Sequence, residues 1–105
     1  SHNEATMNAL SSIALSGLGA AQLRLGASAH NIANAQTPGF RRQLVAQASV
    51  PDGGVSAMLT RAPAAGDALA DDIVGQLSAR YQFIANLRVI QTQDKLLGTL
   101  VDDRA

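Results

Sequence analysis

Between residues 7 and 32 small or apolar side chains recur in a stripe, Met7, Ala14, Leu18, Ala21, Leu25, Ser28 and Ile32, with Leu10, Ile13 and Leu15 widening its start. After Ala14 the steps alternate four and three, the rhythm of a coiled-coil seam, and Gln22, Arg24, His30 and Asn31 fall off that line. A first helix is therefore predicted, and at roughly 28 residues it would be ~42 Å long. Gly17, Gly19 and Gly26 interrupt it, each costing roughly 1 kcal/mol relative to alanine, which makes an isolated helix weak and suggests close approach by a neighbour.

The pattern stops at Thr37-Pro38-Gly39. Proline removes an amide donor and pushes its predecessor out of the α region, and Gly39 accepts the positive φ of a type II turn. Asn34 is preferred as the C-terminal cap, since it tolerates the left-handed conformation, with contact to a partner subunit as the alternative, and Asn31 is left open between the two. Residues Phe40 to Thr60 then read as a β-hairpin or extended loop. Leu44, Ala46, Ala48 and Val50 alternate with Gln43, Gln47 and Ser49; Val55, Ala57 and Leu59 alternate with Ser56 and Thr60; Pro51-Asp52-Gly53-Gly54 supplies the turn. Val45 and Met58 are expected together on the second face.

A linker, Arg61 to Gly66, leads to Asp67 as an N-cap, with Asp71 and Asp72 at the positive end of the macrodipole. The second helix is predicted through Leu69, Ile73, Leu77, Ile84, Leu87, Ile90, Leu97 and Val101. The fold class is thus mainly α: one domain, residues 7–34 and 67–102 forming two long antiparallel helices, joined by a turn, hairpin and linker over 35–66. Both termini should lie at one end. Leu18, Leu25 and Ile32 are expected against Ile73, Leu77, Ile84 and Leu87, with Ala21, Tyr81, Ile90 and Leu97 completing the packing set. Phe83, Leu96 and Leu100 would remain for other subunits.

Composition narrows the function. A chain of 105 residues with Phe40, Tyr81 and Phe83 as its aromatics can bury little on its own, so oligomerisation would help it. Eight basic and eight acidic residues cancel, and Arg41-Arg42 is the longest basic run, which argues against nucleic acid. Without cysteine there is no disulfide framework or thiolate metal site. Residues Ile13 to Ala21 resemble a short signal core, but Glu4 and no Lys or Arg precede them, so no cleaved signal is read. Ser16, Gln22 and Arg24 break the run short of the ~20 residues that span a bilayer.

Catalytic chemistry finds no foothold in the sequence, and neither a cofactor nor a metal is expected. His30 has no acidic residue closer in sequence than Asp52 after it, and the adjacent pairs Asp71-Asp72 and Asp102-Asp103 point to different helix faces, as terminal charges do. Gly17-Leu18-Gly19 lacks the third glycine and preceding strand of a nucleotide loop.

Asn31-Ile32-Ala33-Asn34 followed by Thr37-Pro38-Gly39-Phe40 resembles the N-terminal signature of bacterial flagellar axial proteins, the builders of rod and hook. Asp72-Ile73-Val74, Tyr81 through Asn86, Val89-Ile90 and Thr92 through Leu100 are similar to their C-terminal signature. The resemblance covers residues 13 to 42 and 70 to 101. It implies a structural, non-enzymatic subunit that self-assembles through its terminal helices into the periplasmic rod of the basal body. It also implies export through the flagellar export apparatus, contacts with other rod and hook proteins, and a contribution to motility. Larger members carry β-rich domains between the signatures; here residues 43 to 66 are available, which points to a small rod-type subunit. The alternative is a non-filamentous helical hairpin, closed as an oligomer, that assists export or assembly of axial proteins. A membrane-surface helix is disfavoured because the polar faces lack a Lys/Arg-rich band.

Overall fold

The computed structural model describes residues 2–104. Helix α1 (His2–Ala33) is followed by strands β1 (Gln43–Ser49) and β2 (Val55–Arg61), and the chain returns along α2 (Leu69–Arg104). The helices run antiparallel, as bonds from Ser11 to Gln93 near the termini and from Asn31 to Asp72 near the turn require. The protein is a slab of 62 × 24 × 14 Å, set by the helix length along one axis and a single layer of helices beneath a hairpin along the others. Helix α1 begins upstream of the expected Met7, taking in His2, because nothing before Met7 breaks a helix.

The seam between the helices is not built of leucine. The buried apolar residues among those described are Ala14, Ala20, Ala21, Ala27 and Ala79, joined by buried Ser28, Asn31, Asp72 and Gln93. On α1 the line Ala14, Ala21, Ser28 advances by sevens, and Asp72, Ala79, Asn86, Gln93 does the same on α2, so the heptad rhythm is real while its occupants are small or polar. Alanine lets two backbones approach closely, and the polar members are satisfied across the gap. Ser11 Oγ donates to Gln93 Oε1 at 2.6 Å and Ser28 Oγ to Gln76 Oε1 at 2.6 Å. Arg24 reaches both Gln82 and Ser78. No buried side-chain polar atom among the described residues is left without a partner, which is what a polar seam needs to avoid its desolvation cost.

Gly17 shows why one of the helical glycines is there. A Cβ at that position would sit 2.6 Å from Asn86 Oδ1, whereas Gly19 and Gly26 face open space. The Asn86 amide lies on the α1 backbone, held by its Nδ2 donating to the Gln82 carbonyl at 2.8 Å. Gly17→Leu should therefore push the helices apart and lower stability by about 2 kcal/mol. Chemical denaturation checks this, and Asn86→Ala in the same chain should recover part of the loss by emptying the space.

The hairpin lies along α1, its base beside Asn31 and its tip beside Ile13 and Ser16. Val55 N–H donates to Ser16 Oγ at 3.1 Å, and Gly54, at φ +90°, approaches Ser16 so closely that a Cβ would clash with its hydroxyl. The register pairs Val45 with Leu59, Gln47 with Ala57 and Ser49 with Val55. Directly opposed residues share a face, so Val45, Ala57 and Val55 lie on one side, half-buried on α1, while Leu44, Ala46 and Met58 lie on the other. The expectation that Val45 and Met58 share the second face is corrected by this pairing, which sets Val45 opposite Leu59 and Met58 opposite Ala46. Alternation within each strand was right; the relation between strands depends on the turn.

Candidate functional site

Where the helices meet the hairpin, one buried asparagine joins three elements. Asn31 is on the last turns of α1. Its Nδ2 donates to the Gln43 carbonyl at 2.9 Å and to Asp72 Oδ1 at 3.1 Å, and its Oδ1 accepts from Gln43 N–H at 2.7 Å. The side chain thus behaves as a backbone partner for β1 and as a donor to α2. Arg42, one residue before β1, closes the knot with Nε on Asp72 Oδ2 at 2.9 Å and Nη2 on Oδ1 at 2.5 Å. That is the bidentate fork geometry in which arginine binds carboxylates most strongly.

Asp72 also sits in the first turn of α2, where the helix dipole favours its charge. The Arg42 hydrogen bonds hold its carboxyl below the usual aspartate range, burial opposes them, and Asn31 adds to the depression; Arg42 is raised in turn, chiefly by its bonds to Asp72. A carboxylate with a depressed folded-state pKa contributes stability that is present above its unfolded value, about 3.9, and is lost as pH falls through the lower folded value. Stability should accordingly be insensitive to this group from neutrality down to about pH 5 and fall below about pH 4. An acid titration of helicity, compared with Asp72→Asn, checks this, since the variant should lack that contribution at every pH.

The turn beyond α1 is locked by its own side chains. Asn34 N–H donates to the His30 carbonyl at 3.1 Å and Asn34 Nδ2 to the same oxygen at 2.9 Å. Thr37 Oγ1 donates to Asn34 Oδ1 at 3.2 Å. Among the described residues positive φ occurs at glycines alone, so Asn34 caps the helix through its amide and not in the left-handed conformation expected. Gly39, at φ +76°, and the Phe40 N–H to Thr37 carbonyl bond of 3.2 Å form the turn that Pro38-Gly39 foretells. Phe40 packs its ring edge on His30, centroids 5.3 Å apart, and its carbonyl accepts from Gly66 N–H at 3.2 Å, which brings the outgoing linker beside the incoming one. The first helical bond of α2 runs from Asp72 N–H to the Ala68 carbonyl at 2.9 Å, so Ala68 occupies the cap position expected of Asp67.

These residues, Asn31 to Phe40, end the segment 12–41 that matches the family model described as flagella basal body rod protein. Over this segment, 30 of its 105 residues, the chain is similar to the flagellar basal body rod family. The match spans the larger part of α1 and the turn, stopping just before β1. No curated protein matches the chain at a significant level. No helix among the described residues is long and apolar enough to cross a membrane, and none of their His, Asp and Glu side chains gather in threes as metal ligands would.

The other residues singled out from the sequence lie as follows. Ala21 is in the seam, 1% exposed. Leu18, Leu25, Ile32, Ile84, Leu87, Ile90 and Leu97 flank it, half-buried. Ile73, Leu77 and Tyr81 stand outside it, 52%, 51% and 65% exposed. Asp72 and Gln76, each one position before Ile73 and Leu77, take inward places, bonded to Asn31 and Ser28. Arg42 and Asp72 were not legible as a pair from the sequence, since 30 positions separate them and each sits beside a like-charged neighbour.

Proposed function

We propose that this chain is a structural subunit of the flagellar basal-body rod that self-assembles through the outward faces of its two helices and contributes to motility without catalysing a reaction. One observation carries the reading. In a chain similar to the rod family over residues 12–41, the buried positions hold alanine and polar side chains, while large apolar residues are left exposed on both helices, Leu10 and Leu15 on α1 and Ile73, Val74 and Leu77 on α2. Exposed apolar surface of that extent marks an interaction site, and a subunit that meets copies of itself and other rod proteins on several sides would use it.

The same reading includes passage through the flagellar export apparatus and residence in the periplasmic rod. A protomer whose core is alanine gains little from its own burial, so neighbours would supply much of its ordering free energy. Deleting the gene should abolish motility and leave basal bodies with an incomplete rod, restored by the gene in trans. Normal rods in the deletion strain, with a purified protein that forms a discrete dimer at every concentration, would favour a closed module that assists export or assembly.

A further inference from the structure

The outer edge of β1 is paired at one end and open along the rest. The Ala62 N–H donates to the Arg42 carbonyl at 2.8 Å. Bonded and non-bonded pairs alternate along an antiparallel ladder, so Leu44, Ala46 and Ala48 turn their backbone groups to β2, while Gln43, Val45, Gln47 and Ser49 turn theirs away. At Gln43 the Asn31 side chain meets both outward groups, accepting from the N–H and donating to the carbonyl, as a neighbouring strand would. Beyond it, the outward groups of Val45, Gln47 and Ser49 have no partner among the described residues. We infer that an extended segment of another polypeptide, with an acidic side chain opposite Arg24, adds to this edge as a third strand and continues the pairing that Asn31 begins. The inference goes beyond the rod reading and does not depend on self-assembly.

Residues 43–49 contain neither a charge nor a proline, the usual guards against strand addition. On β2, by contrast, the Ser16 hydroxyl accepts from the Val55 N–H, and the strand ends in charged Arg61. Beside β1 a groove of about 180 Å³ lies between the strand, Arg24, Ala27 and Ser28 of α1, and Asp71 and Gly75 of α2. A Cβ on Gly75 would meet nothing within 4 Å, so another backbone has room there. Arg24 is the cation of this groove that lacks an acidic partner among the described residues. Its guanidinium donates to neutral Gln82 and Ser78, whereas Arg42 is held by Asp72.

The surroundings of the groove define its occupant. A second copy's hairpin would bring its own α1 underneath, where α2 of the first copy already stands, so a strand with no helix packed on it fits. Side chains alternate along a strand, and opposed residues share a face. One set would therefore point to the floor, on the side of half-buried Val45, and the other would extend the exposed face of Leu44, Ala46 and Met58. A carboxylate in the floor set gains a charge-assisted bond to Arg24. Asp71, next to Asp72, lines the base end and repels a carboxylate there, which leaves Arg24 as the place for one. Main-chain bonds supply affinity and the floor supplies selectivity, the division of labour in strand addition.

The probe is a dye-labelled heptapeptide alternating valine and threonine, with glutamate in place of its middle threonine. Fluorescence anisotropy should show saturable binding to the natural chain at a concentration where it is helical. Hydrogen exchange should slow at the Val45 and Gln47 amides and stay unchanged at Gln43, which Asn31 already holds. Gln47→Pro removes an outward N–H and no bond to β2, so it should abolish binding while helicity and protection of the Ala46 amide are retained. Lysine in place of the probe's glutamate should weaken binding about tenfold, and Arg24→Glu should reverse the preference between the two probes. If Gln47→Pro loses the Ala46 protection, the Arg24→Glu comparison decides. No saturable binding, binding that Gln47→Pro leaves intact, or equal affinity for both probes overturns the inference. Sedimentation of the same samples reports self-assembly separately, so failure of the strand site and failure of the rod reading are told apart.

Discussion

Replacing Asp72 with alanine is expected to destabilise the protomer by about 3 kcal/mol, the lower end of the range for breaking a buried ion pair, because Arg42 keeps some exposure to water while Asp72 has little. The loss has identifiable parts. Arg42 Nε and Nη2 lose their acceptor, and Asn31 Nδ2 loses one of its two. Asp72→Asn should cost less, since an amide preserves the shape and one acceptor. The thermal midpoint should fall by about 10 °C or more for alanine in a domain of this size. Asn31→Ala should act on the same knot and, in addition, speed hydrogen exchange at the Gln43 amide, whose acceptor is the Asn31 side chain. Normal exchange there in Asn31→Ala would show that the hairpin is held by its turn alone.

Placing aspartate at both Ile73 and Leu77 is expected to have the opposite profile. Both side chains are half-exposed in the protomer, and surface substitutions of that kind usually change folding stability by about 0.5 kcal/mol or less. In an assembly the same positions would be desolvated. Full burial of an aliphatic side chain is worth about 1.5–3 kcal/mol, so losing the remaining half of two such burials should weaken association about a hundredfold. Light scattering and electron microscopy of I73D/L77D beside the natural chain check this. Lower helicity than the natural chain at a dilution where both are dissociated would mean that these residues serve the protomer's own interior.

The elements were legible because their signals are local. Pro38-Gly39 ends one pattern, Pro51-Asp52-Gly53-Gly54 turns another, and the alternation on either side of that turn reads as two strands. Along α1 the heptad rhythm was also legible, and Ala14, Ala21 and Ser28 do lie on the buried line. The matching line on α2 was not. Asp72, Ala79, Asn86 and Gln93 carry almost no hydrophobic signal, so periodicity selected the more apolar outward stripe through Ile73 and Leu77 instead. A search for apolar spacing finds the face that most needs covering, and in a thin protomer that face can belong to a neighbour's interface.

Asn31 and Asn34 illustrate the same limit. Both are conspicuous in sequence, three positions apart, yet one is 3% exposed and joins three elements while the other caps its own helix. Sequence spacing cannot separate those roles, because the difference depends on which face the hairpin covers.

The most direct measurement is a dilution series of the natural chain followed by far-ultraviolet circular dichroism and sedimentation velocity together. If small and polar side chains fill the seam while the large apolar ones wait for neighbours, helical signal and sedimentation coefficient should fall together as the protein is diluted. A single monomeric boundary with undiminished helicity at every concentration would contradict the account.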